Sequence, residues 1–146
     1  MNLSKDLREF IALLNSTSVK YVLVGGHAVA FHGYPRFTGG VDFFVERSAE
    51  NASRIEHVLN QFGFGRLGLK AADFLDPNVV VQLGRPPNRI DILTSIDGVA
   101  FEQAWSSRLK TSTGEELFVI SKELLLQNKR VAGRAQDLAD IEHLTG

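Results

Sequence analysis

The clearest indication of the fold lies in residues 22–45, which read VLVGGHAVAFHGYPRFTGGVDFFV. An apolar run, Tyr21–Val24, leads directly into a pair of glycines and predicts a short buried strand. The residues after the glycines, 27–32, have the composition of a short helix, which a glycine and a proline then end. A second apolar run, residues 41–45, predicts a second strand, although it carries a single acid, Asp42.

The rest of the chain alternates between helical and strand patterns. The predicted elements are helices at 3–14, 49–62, 101–105, 122–128 and 134–144, strands at 79–83 and 90–93, and an edge strand or loop at 117–120. The strands cluster in the middle of the chain, and helices flank and interleave them. The sequence therefore predicts an α/β (α+β) fold, with a small mixed β-sheet flanked by helices.

The composition limits the classes of protein to consider. With 146 residues the chain has the length of one domain, and we expect a single domain over residues 1–146. The net charge of −1 gives no global basic field that would indicate nucleic acid or an anionic membrane as a partner. The absence of cysteine excludes disulfides and thiolate metal sites. No signal peptide or membrane-spanning run is found, so a cytoplasmic location and no membrane partner are expected.

Two acids within apolar strands are candidates for a functional site. Asp42 lies in VDFFV and Asp91 in IDIL, so alternation along each strand places the acid on the face opposite its apolar neighbours. Two such carboxylates that converge on one cleft would form an oxygen site for Mg²⁺, which binds few protein carboxylates together with substrate phosphates. The alternative is that each acid pairs with an arginine or caps a turn at a strand end.

Two pairs of residues near the first two strands are candidates for binding phosphate. Gly25 and Gly26 stand where a strand runs into a helix, a junction at which backbone N–H groups can approach an anion. The alternative is a tight turn without a ligand. Arg36 and Thr38 precede the acidic strand and offer a planar guanidinium fork and a hydroxyl group. The alternative, which a single arginine favours, is a solvated side chain in a loop.

The closing helices carry a basic cluster. Lys129, Arg130 and Arg134 surround the break between the helices, and Asp137 and Asp140 follow them. One interpretation is a basic wall that faces a polyphosphate. The other is a solvated helical face with ion pairs along the helix. The spacing of the residues leaves both interpretations open.

In this order, the motifs resemble a known family. Four features carry the resemblance: the stretch VLVGGHAVAFHGYPRFT, the acidic strand after it, the distant acid on another strand, and the ending KELLLQNKRVAGRAQDLADIEHL. Together they are similar to the minimal domain of the nucleotidyltransferase (DNA polymerase β-like) superfamily. The small members related to AbiEii-type toxins and MNT-type proteins are the most similar. The resemblance covers nearly the whole chain, and it implies a nucleotidyltransferase fold.

The resemblance also implies a reaction. Members of the family transfer a nucleoside monophosphate (NMP) from a nucleoside triphosphate (NTP) to an acceptor hydroxyl, with two Mg²⁺ ions held by three acids. Asp42 matches the second of these acids and Asp91 the third. The acceptor, which is tRNA, protein or a small molecule in such families, is left open. So is the partner, either a second copy in a homodimer or a toxin or antitoxin.

The same resemblance assigns roles to the candidate phosphate contacts. Gly25 and Gly26 would hold the β- and γ-phosphates through backbone N–H groups. Arg36 and Thr38 would contact phosphate or the loop itself. Lys129 or Arg134 would supply basic support.

The chain departs from the family pattern at the first acid, whose place is taken by Gly40. Glycine supplies neither an oxygen ligand nor a charge, so metal binding and two-metal catalysis should be weakened. Three explanations stay open: a member that binds without catalysis, a substitute acid such as Glu46 or Asp97, or an altered form of an active chain that had aspartate there. The alternative function is therefore a non-catalytic, antitoxin-like regulatory module that binds a nucleotide or a partner.

Overall fold

The structure is a computed structural model that describes residues 3–112 and 115–146. The helices and strands, in chain order, are α1 (Lys5–Ser16), β1 (Tyr21–Val24), α2 (Gly25–Phe31), β2 (Gly40–Val45), α3 (Ala49–Gln61), β3 (Val80–Leu83), β4 (Arg89–Leu93), α4 (Phe101–Ser106), β5 (Leu109–Ser112), β6 (Glu116–Val119), α5 (Lys122–Ala132) and α6 (Ala135–Thr145). Two short 3₁₀ turns, Gly65–Leu67 and Ala71–Phe74, follow α3. The predicted α/β fold with a small mixed sheet is confirmed.

The six strands form one mixed sheet in the order β3-β4-β2-β1-β6-β5. β2 lies inside the sheet, antiparallel to β1 and parallel to β4. β1 is also parallel to β6, and the outer strands β3 and β5 run antiparallel to their neighbours. β1 and β2 are buried along nearly their whole length, which explains why both read as nearly continuous apolar runs.

The two faces of β2 contact different helices because successive side chains point to opposite sides of a strand. Phe43 packs on Phe10 of α1, with ring centroids 5.6 Å apart. Phe44 packs on Phe101 of α4, with ring centroids 5.2 Å apart. Asp42 is two residues from Phe44 and therefore lies on the α4 side of the sheet, away from α1.

The end of the sheet beyond β1 differs from the expectation. Residues 117–120 were predicted to form an edge strand or a loop, whereas β6 lies between β1 and β5. The edge is formed by β5, which no pattern in the sequence predicts. Its residues, LKTS, contain one aliphatic side chain and therefore give almost no apolar alternation to detect. Edge strands are commonly short and polar in this way.

The two closing helices form a hairpin whose turn is set by Gly133. This residue has φ of 63°, the left-handed conformation that favours glycine, and its N–H donates to the carbonyl of Lys129 at 2.9 Å. α5 therefore ends at Ala132, and α6 begins at Ala135. Among the residues described, none of the helices has the length and apolar character needed to cross a membrane.

Candidate active site

The two predicted acids lie side by side. β2 and β4 are parallel and in register, with Asp42 opposite Asp91. Both side chains line a cleft of about 610 Å³, which is also bordered by the start of α2 and by residues of the α5–α6 hairpin. A larger depression of about 690 Å³ lies between α1 and the end of α3, and the strand-borne acids do not contribute to its lining. The cleft is therefore the candidate site.

Gly25 and Gly26 have different surroundings. The helix α2 begins at Gly25, two residues earlier than predicted. Gly25 has φ of 70° and lines the cleft so close to the Asp42 carboxylate that a Cβ would collide with it. Gly26 is buried beneath Thr38, where a Cβ would lie 2.9 Å from the threonine side chain. The glycine pair thus allows close packing of β1, α2 and β2 around Asp42. The phosphate-binding role of the two glycines stays a prediction.

The environment of Asp42 raises its pKa from 3.8 to about 7. The largest cause is burial, which disfavours the charged carboxylate. The hydrogen bond to the Asp91 carboxylate and repulsion by its charge raise the pKa further, and the positive charges of Arg89 and Lys129 oppose them. A carboxyl that changes protonation near neutral pH is suited to accept or donate a proton in catalysis.

Arg89 also lines the cleft, although it is not among the predicted site residues. Its Nε donates to Oδ1 of Asp91 at 2.8 Å and its Nη2 donates to Oδ2 at 2.9 Å, so both carboxylate oxygens accept from one guanidinium. The alternation of a strand could have revealed this pair, because residues two apart in R-I-D share one face. The pairing of a strand acid with an arginine was one of the alternatives left open for Asp91.

Gly40 packs against the backbone of β4. It lies opposite Arg89 in the parallel register. A Cβ at this position would collide with the carbonyl oxygen of Arg89 and lie 3.0 Å from its carbonyl carbon and its Cβ. The carbonyl of Gly40 also accepts a hydrogen bond from Oγ1 of Thr38 at 3.1 Å. A glycine at this point therefore permits a close approach of two strands, in addition to lacking a carboxylate.

Lys129 and Arg134 both line the cleft, but their ammonium and guanidinium groups have different exposure. Lys129 is buried, and its Nζ contacts Asp137 at 3.2 Å and Asp140 at 2.9 Å. Arg134 donates from Nε to Asp137 at 2.7 Å while its side chain remains 78% exposed. Of the two predicted basic residues, Arg134 presents its charge to the solvent in the cleft. Lys129, on α5, is instead held by the two acids of α6.

Two buried carboxylates balance these cations. Burial by itself would raise the pKa of Asp137 and of Asp140, but hydrogen bonds from their cationic neighbours outweigh it and hold both pKa values below their usual range. For Asp140 the principal hydrogen-bond donor is Arg36, followed by Lys129. These two acids are therefore ionised members of a buried ion-pair network and bind the basic side chains of the tail.

Arg36 and Thr38 are engaged within the protein. The guanidinium of Arg36 donates from Nε and Nη2 to the two oxygens of Asp140, both at 2.9 Å. Thr38 donates to the carbonyl of Gly40, two residues along the chain. Both residues thus fix the loop that leads into β2. Their predicted contact with phosphate remains a prediction.

Of the two acids predicted as substitutes for the first acid of the family pattern, one lies in the cleft. Asp97 lines it together with Asp42 and Asp91. Glu46 accepts a hydrogen bond from Ser48 at 2.8 Å and lies 3.6 Å from the ammonium of Lys20, at the far end of β2. Asp97 is thus the substitute that the fold places nearer the site.

The donor set does not fit a pair of Mg²⁺ ions as the side chains stand. Within the described residues, no three His, Cys, Asp or Glu side chains form a group that could hold a metal ion. Asp42 and Asp91 are adjacent, but both oxygens of Asp91 already accept from Arg89. Two metal ions need more oxygen ligands than this pair supplies while Arg89 holds Asp91. Magnesium binding stays a prediction that rests on the family resemblance.

Comparison with known proteins supports the fold. No protein-family model matches the chain, and no curated protein matches it. A solved structure does match, the crystal structure of a protein from Thermotoga maritima described as a "putative nucleotidyltransferase". The TM-score is 0.60 at 17% identity, and the likeness covers 93% of this chain and 88% of that chain. At this identity the likeness shows the fold alone: the chain has a nucleotidyltransferase-like fold, as predicted.

Proposed function

We propose that the cleft binds an NTP, and that the chain is a nucleotidyltransferase-fold protein whose transfer of NMP to an acceptor hydroxyl is impaired. The observation that carries this proposal is the in-register pair Asp42 and Asp91 on adjacent parallel strands, in a cleft that Lys129 and Arg134 also line. The description of the Thermotoga maritima neighbour supports the reaction class. The relation to AbiEii-type or MNT-type proteins belongs to the same proposal.

The phosphates of the NTP would meet the basic side of the cleft. Arg134 is the cation best placed to contact them, because its side chain is 78% exposed even while its Nε and Nη2 donate to Asp137 at 2.7 and 3.3 Å. Lys129 contributes positive charge to the cleft without contacting the phosphates, since its buried ammonium is held by Asp137 and Asp140. In this arrangement Lys129 holds the α5–α6 side of the cleft in place, and Arg134 binds the NTP.

Transfer requires the hydroxyl oxygen of the acceptor to attack the α-phosphorus as pyrophosphate leaves, with the hydroxyl proton taken up by a base. Asp42 is the candidate base, because its pKa near 7 leaves part of the population ionised and able to accept a proton at neutral pH. The impairment follows from Gly40, which supplies no carboxylate, and from Asp91, whose oxygens are held by Arg89. Both reduce the negative charge available to bind cations with the triphosphate.

A second candidate function is a regulatory module that binds a nucleotide or a partner without catalysis. The contact between Gly40 and the Arg89 backbone favours it, because a side chain at this position cannot be added without displacing β4. A third carboxylate at this position would therefore require β4 to shift, which supports a function without two-metal catalysis. Nucleotide binding and NMP transfer must be measured separately to distinguish the two candidates.

Nucleotide binding is tested by thermal unfolding of the protein with each of the four common NTPs, in MgCl₂ and in EDTA. An NTP at about 100 times its dissociation constant should stabilise the native state by about 2.7 kcal/mol. Arg134→Gln should weaken the shift, whereas Arg130→Gln, an exposed arginine on the same hairpin, should retain it. If no NTP shifts the transition in either buffer, the proposal is wrong.

Transfer is tested with NTPs labelled at the α-phosphate, incubated with pooled tRNA, with a protein extract and with small hydroxyl compounds. We expect weak labelling that Asp42→Asn abolishes and that Asp76→Asn, an exposed acid outside the cleft, leaves unchanged. NTP binding without any labelling would favour the non-catalytic module. Labelling that survives Asp42→Asn would contradict the role given to that residue.

A further inference from the structure

Arg89 forms a complete charge-assisted contact with one member of the acid pair. Its Nε and Nη2 donate to the two oxygens of Asp91 at 2.8 and 2.9 Å, the bidentate arrangement in which a guanidinium binds a carboxylate most strongly. The Asp91 side chain is 6% exposed and that of Arg89 is 30% exposed. The contact therefore lies at the inner wall of the cleft, where solvent screening is reduced.

The position of Arg89 depends on the residue opposite it. Gly40 is its partner in the β2–β4 register, and a Cβ on Gly40 would collide with the Arg89 carbonyl and approach its Cβ to 3.0 Å. A larger residue at position 40 would displace the very segment from which the guanidinium extends. Gly40 and Arg89 thus fit each other, and together they change the local charge: a carboxylate is absent and a fixed cation is present.

We propose that Arg89 takes the place of a divalent cation in this chain, by holding Asp91 and thereby excluding a metal ion from the Asp42–Asp91 pair. A metal ion that bound both acids would have to break two short hydrogen bonds and remain close to a positive guanidinium. Without Arg89, the oxygens of Asp91 would lose their guanidinium donor and, beside Asp42 on the neighbouring strand, would be available to bind a divalent cation.

This inference concerns the acid pair and does not require that the cleft binds an NTP. It is tested with Mn²⁺ alone, whose electron paramagnetic resonance signal falls when the ion binds to protein. The full chain should bind Mn²⁺ weakly, and Arg89→Gln should bind it roughly tenfold more tightly or better. Arg89→Met, which keeps the aliphatic stem beside Gly40 and removes the charge, should give the same gain. Circular dichroism of each variant verifies that it is folded.

A second substitution tests whether the tighter Mn²⁺ binding of the Arg89 variants depends on Asp91. In the Arg89→Gln background, Asp91→Asn should return Mn²⁺ binding to the weak level of the unaltered chain, because the released carboxylate is then absent. Arg85→Gln, which removes an exposed arginine from the turn before β4, should leave Mn²⁺ binding unchanged. The proposal is overturned if the unaltered chain and both Arg89 variants bind Mn²⁺ equally, or if the gain persists with Asp91→Asn.

Discussion

The guanidinium of Arg36 holds both oxygens of Asp140, a residue 104 positions later in the chain, at 2.9 Å each. The Asp140 side chain is fully buried and also accepts from Gln136 and Lys129, each at 2.9 Å. This contact joins the loop that leads into the acidic strand to the last helix. Asp137 and Asp140 of this last helix, α6, also contact the buried Lys129 of α5, which lines the cleft. The Arg36–Asp140 contact therefore couples the position of Asp42 to that of the α5–α6 hairpin.

Arg36→Ala should therefore lower the stability of the whole domain. Removing one partner of a buried ion pair typically costs about 3–5 kcal/mol, and the lower end is expected here because Lys129 still neutralises Asp140. The free energy of unfolding in urea measures the effect. Arg47→Ala, at an exposed arginine, provides the control and should cost no more than about 0.5 kcal/mol. Equal losses for the two variants would show that the Arg36–Asp140 pair contributes nothing.

The raised pKa of Asp42 predicts a specific dependence of stability on pH. The native state retains the Asp42 proton up to about pH 7, whereas the unfolded chain releases it near pH 4, so the native state binds more protons between these values. The contribution of Asp42 to stability is therefore full below about pH 4 and is lost as the pH rises through 7.

Asp42→Asn removes this titration and isolates its effect. The unfolding free energy of the variant minus that of the unaltered chain should rise between pH 4 and pH 7 and become constant above pH 8. Denaturant unfolding of both proteins over this range provides the measurement. A difference that stays constant with pH would mean that Asp42 has its ordinary pKa in the folded protein.

The two neighbouring glycines before Asp42 should respond differently to substitution. A Cβ on Gly40 would collide with the Arg89 backbone, whereas a Cβ on Gly39 would meet Pro86 at 3.6 Å, an ordinary contact distance. Gly40→Ala should cost about 1–3 kcal/mol because strand β2 must move away from β4. Gly39→Ala should be nearly neutral, and thermal unfolding distinguishes the two. If both variants unfold at the same temperature, the close approach of β2 and β4 at Gly40 is not a structural requirement.

Lys129 and Arg134 should also differ, although both are cations of the cleft. Lys129→Met leaves Asp137 and Asp140 without their shared buried ammonium and should cost about 3–5 kcal/mol. Arg134→Met removes a side chain that is 78% exposed, and exposed ion pairs contribute about 1 kcal/mol or less. Urea unfolding compares the variants directly. The reverse order of losses would contradict the distinction between a buried wall residue and a solvent-facing one.

Much of the fold was predictable from local patterns. Apolar runs located β1 and β2, and helical spacing located α1 and α3. Both patterns are visible because the buried positions of a strand or helix recur at fixed spacing along the sequence. The same alternation placed Asp42 and Asp91 on the faces opposite their apolar neighbours. Strand β5 was missed because its residues carry almost no such alternation.

The partners of the charged residues were not predictable in the same way. Arg36 could be a phosphate ligand or a structural cation on its sequence alone, and the packing of α6 against the loop before β2 brings it to Asp140. The family resemblance predicts a carboxylate where Gly40 stands, and the register of β2 with β4 shows that the backbone and Cβ of Arg89 fill the space beside this glycine. Local sequence determines the direction of a side chain within its element and pairs as short in range as Arg89–Asp91, whereas only long-range packing brings Arg36 within hydrogen-bond distance of Asp140.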